Sequence, residues 1–344
     1  MVATHQKSET ELNKKIYKWE IVWINIVILT YWHICGIYGI YVLPTAKFET
    51  ILWAILLGVV GIIGHTAGSH RLWSHRSYRA NLPLRIILAI LSMTCYQHRI
   101  YVWARDHRVH HKYVDTDADP HNSTRGFFFS HIGWFMVKKQ KEVIEKGNQI
   151  DLSDLKNDGV VMFQKKYFTI LMPIFTFVIP SVIPWYFWGE SGEVSYYFAG
   201  VARYLWSLHS IFLINSAAHA YGTKPYDKNI RPTENKYVGY LAMGEGWHNY
   251  HHTFPWDYKA SEYGDYAPNL TIAFIDFFAW LGWARDLKTV SSDMVKRRIL
   301  RTGDGTKLVM EKNLDDLVMS DNIWGWGDEN MKKIDFDSIK RLNQ

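Results

Sequence analysis

Sixteen histidines stand in this chain, and nine of them fall into a pattern that could hold metal. His70-Arg-Leu-Trp-Ser-His75 is the first cluster, His107-Arg-Val-His110-His111 the second and His248-Asn-Tyr-His251-His252 the third. The last two share the spacing H-x-x-H-H, and residues three and four apart lie on one face of an α-helix. His107, His110 and His111 can therefore converge, as can His248, His251 and His252. Neutral imidazole is the commonest protein ligand for first-row transition metals. His70 and His75 are five apart, so on an α-helix they splay by more than a third of a turn. They address two different metals, or a helix end falls between them. Asn215-Ser-Ala-Ala-His219 adds an amide and a ninth histidine four apart, with small residues that let a second helix come close. Nine imidazoles are too many for one ion and suit two. With few carboxylates and no thiolates, the set disfavours the carboxylate-rich di-iron bundle and closed structural zinc. His5, His33, His98, His121, His131 and His209 lack ligand spacing. His65, five before His70, is expected to face elsewhere.

The clusters must be carried by long apolar elements. Apolar residues make up 48% of the 344 and aromatics 16%, with 16 Trp and 21 Tyr, a load suited to a bilayer interface. Mean hydropathy is only −0.16, so the apolar residues are segregated into blocks. Four blocks approach the roughly 20 residues needed to cross a membrane: Glu20 to Leu43, Ile51 to Gly68, Tyr167 to Trp188 and Tyr196 to Tyr221. The third holds Pro173, Pro180 and Pro184, tolerated in membrane helices when neighbours satisfy the freed carbonyls. Ile86 to Met93 is too short to span and is expected to lie along the interface or dip in.

The connections 44–50 and 189–195 are short, and together carry one cation, Lys47. The segment between the second and third spans, the N-terminal arm and the C-terminal third are rich in Arg and Lys. The positive-inside rule then places both termini and the histidine clusters in the cytosol. Asn122-Ser-Thr and Asn269-Leu-Thr match the glycosylation pattern but are expected to be unmodified. Cys35 and Cys95 have no close partner, which excludes a disulfide scaffold and a cysteine zinc site. Net charge is +6, which fits anionic lipid, a phosphate-bearing ligand or an acidic partner protein. No nucleic-acid partner is expected.

Beyond the boxes, several longer strings carry a resemblance. They are Gly68-Ser-His-Arg-Leu-Trp-Ser-His-Arg-Ser-Tyr78, Trp103-Ala-Arg-Asp-His-Arg-Val-His-His-Lys112, Asp117-Ala-Asp-Pro-His-Asn122, Arg125-Gly-Phe-Phe-Phe-Ser-His-Ile-Gly-Trp134, Gly244-Glu-Gly-Trp-His-Asn-Tyr-His-His252 and Arg301-Thr-Gly-Asp-Gly305. With Asn215 to His219 they resemble the membrane acyl-CoA desaturases of the stearoyl-CoA Δ9 type, in their insect-like branch, across about residues 20–305.

The resemblance implies an all-α membrane protein: four transmembrane helices under a cytosolic helical cap that holds a histidine-rich di-iron site. Residues 1–19 form a cytosolic arm, and 306–344 a poorly ordered tail. It implies His70, His75, His107, His110, His111, His219, His248, His251 and His252 as ligands to two irons, with Asn215 holding a water on one of them. The reaction implied is removal of two hydrogens from a saturated acyl chain to leave a cis double bond. O2 is consumed, and electrons arrive from cytochrome b5 and its NADH-dependent reductase at the endoplasmic reticulum membrane, amid membrane lipid. Asn25, Arg105, Lys138 and Lys139 match contacts to the CoA head. Gln97, Trp103 and Ile211 lie at the bend of the chain, and Gly58 and Ile62 are expected to close the tunnel, so that enlarging Gly58 favours shorter chains. The chain departs from the family pattern at His98 and Arg99, where Asn-Asp is usual, at Val102, where an acid is common, and at Ile211, where a small hydroxyl residue is usual. These positions bear on where the bond forms.

A fatty-acid or alkane hydroxylase shares the boxes, and would release an alcohol. A receptor or transporter with a structural metal is disfavoured because Arg203 is the one ionisable residue central to a span. A zinc hydrolase would need a general-base carboxylate.

Overall fold

The computed structural model describes residues 19–307 and 339–342. Among these, three helices are long and apolar enough to cross a membrane: α1 (Trp23–Thr45), α2 (Phe48–Ser74) and, farther along, Gly159–Trp188. Between them lie α3 (Leu82–Cys95), the shorter apolar helix expected near Ile86, and α4 (Ile100–Lys112), which bears the second box. Gly159–Trp188 is α5. The fourth expected span is helical over 194–220 and is α6, but it carries Arg203 and a run of polar side chains and is not among the three. Among the later helices are α7 (Lys236–Leu241), α8 (His248–Thr253) and α9 (Leu270–Trp280). Strand β1 (Arg79–Ala80) pairs antiparallel with β2 (Ala284–Arg285), pinning the chain after the first box to the chain after α9. Residues 340–342 pair antiparallel with Leu287–Thr289. The arm before Trp19 and the tail residues Trp324 and Trp326 lie outside the described residues.

Much of α1 turns apolar side chains outward; Trp23, Ile24, Ile34, Ile37, Ile40 and Tyr41 are all more than 60% exposed. A continuous apolar surface of that size marks contact with lipid rather than water. Its opposite stripe is small. A Cβ at Gly39 would strike the Tyr197 carbonyl, so glycine is what lets α1 and α6 touch backbone to backbone. The buried core gathers around α2, α3, α6 and α9, with Ile62, Leu84, Leu88, Ile211 and Ile272 among its members.

Two of the three prolines of α5 have their freed carbonyls satisfied by side chains from neighbouring helices. A proline frees the carbonyl four residues before it. Pro184 frees that of Pro180, which accepts the Trp53 indole N–H at 3.1 Å. Pro180 frees that of Thr176, which accepts the Arg203 guanidinium at 2.6 Å. Arg203 is 2% exposed, and its other bonds go to the carbonyls of Thr94, Ala199 and Gly200. The charge inside this helix is thus a clamp on backbone oxygens of α3, α5 and α6, which accounts for it without transport. Replacing Trp53 with Phe removes one buried donor and is expected to cost about 1 kcal/mol of stability with turnover unchanged. Thermal unfolding in detergent checks this; an unaltered midpoint would show that the Pro180 carbonyl needs no partner.

Asn122 and Asn269 are both 1% exposed. The Asn122 amide donates to the Thr116 carbonyl and that of Asn269 to the Lys259 carbonyl. Both are tied into the folded interior, so neither can carry a glycan there whichever side of the membrane it lies on.

Candidate metal centre

The upper end of α2 departs from α-helix. Gly64–Ser74 is π-helical, with hydrogen bonds from residue i+5 to i, as in His75 N–H to the His70 carbonyl at 3.2 Å. Residues five apart then fall on one face. This overturns the expected splay of His70 and His75: the two rings lie 4.8 Å apart and point into one site. It also moves the expected end of the second span from Gly68 to Ser74.

The other candidate ligands arrive on α4, on the last turn of α6 and on α8. The short α8 is held from below. Asn249 accepts the N–H groups of Tyr226 and Asp227, and donates to the carbonyls of Asp227 and Pro232. Glu234 accepts the Tyr250 N–H at 2.8 Å. A Cβ at Gly246 would overlap the Gly239 nitrogen and the Asn235 carbonyl, so only glycine lets the strand before the third box lie against α7.

All nine histidines meet, in two buried groups: His70, His75, His107, His111 and His251 in one, His110, His219, His248 and His252 in the other. Within each group the candidate ligand atoms lie within 4.8 Å of one another. Nε2 atoms face each other at 2.9 Å in His70 and His251 and in His75 and His107, and at 3.1 Å in His111 and His251 and in His219 and His248. Buried imidazoles that aim nitrogens at a shared point form a set that could hold a cation there. His110 Nε2 is buried and has no hydrogen-bond partner. Burial, and then the neighbouring rings, hold His75, His107, His111, His248, His251 and His252 well below the ordinary imidazole value, so these six are neutral and free to ligate.

Carboxylates orient the rings from outside. His110 Nδ1 meets Asp119 at 2.9 Å and His219 Nδ1 meets Asp115 at 3.1 Å. His70 Nδ1 lies 3.0 Å from Glu245, which also takes two bonds from Arg71. Burial lowers His110, but Asp119 and then Asp115 more than offset it and leave its value raised. Such outer partners fix the tautomer and make the ring a better donor. None of the three acids was given a role by spacing. The Asp117-Ala-Asp-Pro-His-Asn122 string, just after α4, and the glutamate three before His248 were the available signals.

Two histidine groups therefore fit two transition-metal ions with neutral nitrogen ligands, and they roof an apolar cavity of about 840 Å³, mouth included. His70, His107, His248 and Asn215 face it from the metal end, and Trp103, Gln97 and Ile211 line its wall. Gly58 instead packs on Trp206, and Ile62 is sealed in the core; neither lines this cavity. Arg105 and Lys139 both pair with Asp106. Lys138 pairs with Glu20 at the exposed surface, and the Asn25 amide donates to the Phe135 carbonyl.

Of the histidines without ligand spacing, His65, His98 and His121 line the cavity. His33, His209 and His131 form a hydrogen-bonded chain: His33 to His209 at 3.1 Å, His209 to His131 at 3.0 Å and on to Ser216 at 3.0 Å. It ties α1 and α6 to residues 127–131. His5 lies outside the described residues.

Glu234 is half-buried, and its loss of solvent raises its value to about 8 from 4.5. The folded state keeps a proton there that the unfolded chain releases near 4.5, so folding loses stability as pH rises from 4.5 to 8. Glu234→Gln keeps the acceptor for Tyr250 and removes that loss. Its gain in thermal midpoint is expected to be absent near pH 4.5 and to grow toward pH 8; a gain independent of pH would refute the assignment.

A chain with this histidine geometry over an apolar cavity belongs to the fatty acid desaturase family, whose profile it matches over residues 48–271. It is 52% identical over 330 residues to an acyl-CoA Δ9 desaturase of Acheta domesticus, covering 96% of this chain and 88% of that one. It is 49% identical over 350 residues to an acyl-CoA Δ12 desaturase of Tribolium castaneum, covering 100% and 98%. Over 313 residues it is 50% identical to an acyl-CoA Δ11 desaturase of Choristoneura rosaceana, covering 89% and 93%. The chain is an oxidoreductase of the acyl-CoA desaturase kind.

Proposed function

We propose that this enzyme places a cis double bond at Δ9 of a saturated long-chain acyl-CoA, using two irons, O2 and two electrons from cytochrome b5. The observation that carries this is the pair of buried histidine groups at the head of an apolar cavity. An unactivated C–H bond gives a protein no acid or base to work on, so a redox metal must supply the oxidising power. Bound iron would supply electron transfer to O2 and hydrogen abstraction from carbon. The two hydrogens of the chain, two electrons and two protons leave with O2 as two waters. The protein's own part is placement. His70, His75, His107, His111 and His251 would hold one ion and His110, His219, His248 and His252 the other, with Asn215 positioned to hold a water at one of them. Gln97, Trp103 and Ile211 shape the chain, and the cavity wall excludes solvent from the reacting carbons.

Four spans with both termini in the cytosol, in the endoplasmic reticulum membrane, suit the charge distribution. Contact between the short connections supports it. The Lys47 ammonium donates to the carbonyls of Trp188 and Gly189, and its backbone N–H to Glu190. The two connections therefore share one end of the bundle, which favours α6 as a fourth span. The CoA head is assigned to Asn25, Arg105, Lys138 and Lys139, with phosphates competing against Asp106 for Arg105 and Lys139.

Relatives named for Δ9, Δ11 and Δ12 make a different bond position the second reading. Expression in yeast lacking its own desaturase, with double bonds located by mass spectrometry, decides. Growth with palmitoleate and oleate is expected. Alkenes at another position would replace Δ9, and an alcohol in place of an alkene would make the enzyme a hydroxylase.

A further inference from the structure

His65 lies five residues before His70 on the π-helical stretch, so it stands on the face that carries His70 and His75, one turn farther from the ligands. It is 2% exposed, and neither ring nitrogen has a hydrogen-bond partner. Its ring lines the cavity and stands edge-on to Trp103, with centroids 4.4 Å apart. The polar neighbours are engaged elsewhere. The Thr66 hydroxyl pairs with Thr271, and the Gln97 amide donates to the Cys95 carbonyl.

A neutral imidazole has one N–H donor and one acceptor nitrogen. Buried without a partner, it pays the full desolvation penalty. A saturated chain filling the cavity offers it only methylenes and displaces any water that served it. A chain that already carries an electron-rich group offers a partner: the π cloud of a double bond for the N–H, or a hydroxyl for donor and acceptor alike. Ile211, on the same wall, has nothing to compete for that group.

We infer that His65 is a specificity-determining residue that selects acyl chains already bearing a hydrogen-bond acceptor, an alkene or a hydroxyl, at the depth of Trp103. This rests on the acyl-CoA desaturase reading and adds a preference to it: saturated chains are still accepted, and a chain that already holds an alkene at Δ9 takes its new bond at another position, the second reading above.

The test uses purified full-length enzyme in detergent with stearoyl-CoA, oleoyl-CoA and 12-hydroxystearoyl-CoA. Binding is read from tryptophan fluorescence, with Trp103 beside the site, and turnover from product analysis. The wild type is expected to favour at least one functionalised chain over stearoyl-CoA by about fivefold in Kd and in kcat/KM. A preference for oleoyl-CoA alone identifies the alkene as the group read, and a stronger one for the hydroxy chain the hydroxyl. His65→Val should erase the preference, and His65→Gln, which keeps a donor, should retain most of it. Tighter or equal binding of stearoyl-CoA by the wild type overturns the inference, whether or not the variants fold. So does a His65→Val enzyme that changes all three chains by one common factor, the mark of a merely structural residue. Absence of any new alkene from all three chains would count against the desaturase reading instead.

Discussion

Replacing His251 with alanine is expected to bring desaturation down to background and to cut bound iron to about one ion per chain. His251 reaches two partners in the five-histidine group, with Nε2 2.9 Å from that of His70 and 3.1 Å from that of His111. Its removal leaves His70, His75, His107 and His111 around a gap, while in the other group His110 keeps Asp119 and His219 keeps Asp115. On the two-iron reading the variant should therefore fold, keep one ion and make no alkene. His121→Ala is the matched control. His121 lines the cavity and rests against Trp134, outside both groups, so iron content should hold. Metal analysis beside lipid analysis checks both. Equal iron in the two variants would show that the group does not bind as a unit.

Glu245→Gln is expected to be the most destabilising single-atom exchange at the site. Glu245 is 2% exposed and Arg71 1%, and they meet through two bonds of 3.0 and 2.9 Å. Burial alone would raise the Glu245 carboxyl, but Arg71 and then His70 hold it down to about 2, so it is ionised at neutral pH. Glutamine leaves a buried guanidinium without its counter-charge, a change of roughly 3–5 kcal/mol in proteins generally. Arg71 keeps the Tyr258 carbonyl and the Asn269 side chain, which places the expected loss toward the lower figure. His70 also loses the carboxylate that orients it, so metal affinity should fall about 10–100-fold in the folded fraction. Thermal unfolding and metal titration separate the two effects. A variant with lowered affinity and an unchanged midpoint would mean that Arg71 finds a replacement anion.

The ligand set was readable because spacing of three and four maps onto helix faces without further knowledge. The first box, whose histidines are five apart, was not. No periodicity distinguishes a π-helical stretch from an α-helical one, and only the packing of α2 on α3 and α4 fixes it. The outer acids escaped for another reason. Asp115 and Asp119 act from a loop on rings of α4 and α6, and nothing in linear spacing says which imidazole a loop carboxylate will reach. Proline tolerance in α5 followed from a general rule, but the donors that satisfy it, Trp53 and Arg203, come from 127 and 27 residues away in sequence and are visible only in the fold. Gly58 and Ile62 are a different case. One turn apart on an apolar helix, they look like neighbours on a tunnel wall, but their face turns toward Trp206 and the core.

The eleven π-helical residues from Gly64 to Ser74 set an unequal tolerance to length change in the chain. Losing one residue between His70 and His75 leaves them four apart, which an ordinary α-helix aligns as well as the wider helix aligns five. Gaining one leaves them six apart, which neither winding brings together. A short deletion there can be absorbed by rewinding, whereas a short insertion cannot. The segment thus has one direction in which its length can drift while both imidazoles still reach the same ion, and His65 would be the first side chain turned out of line.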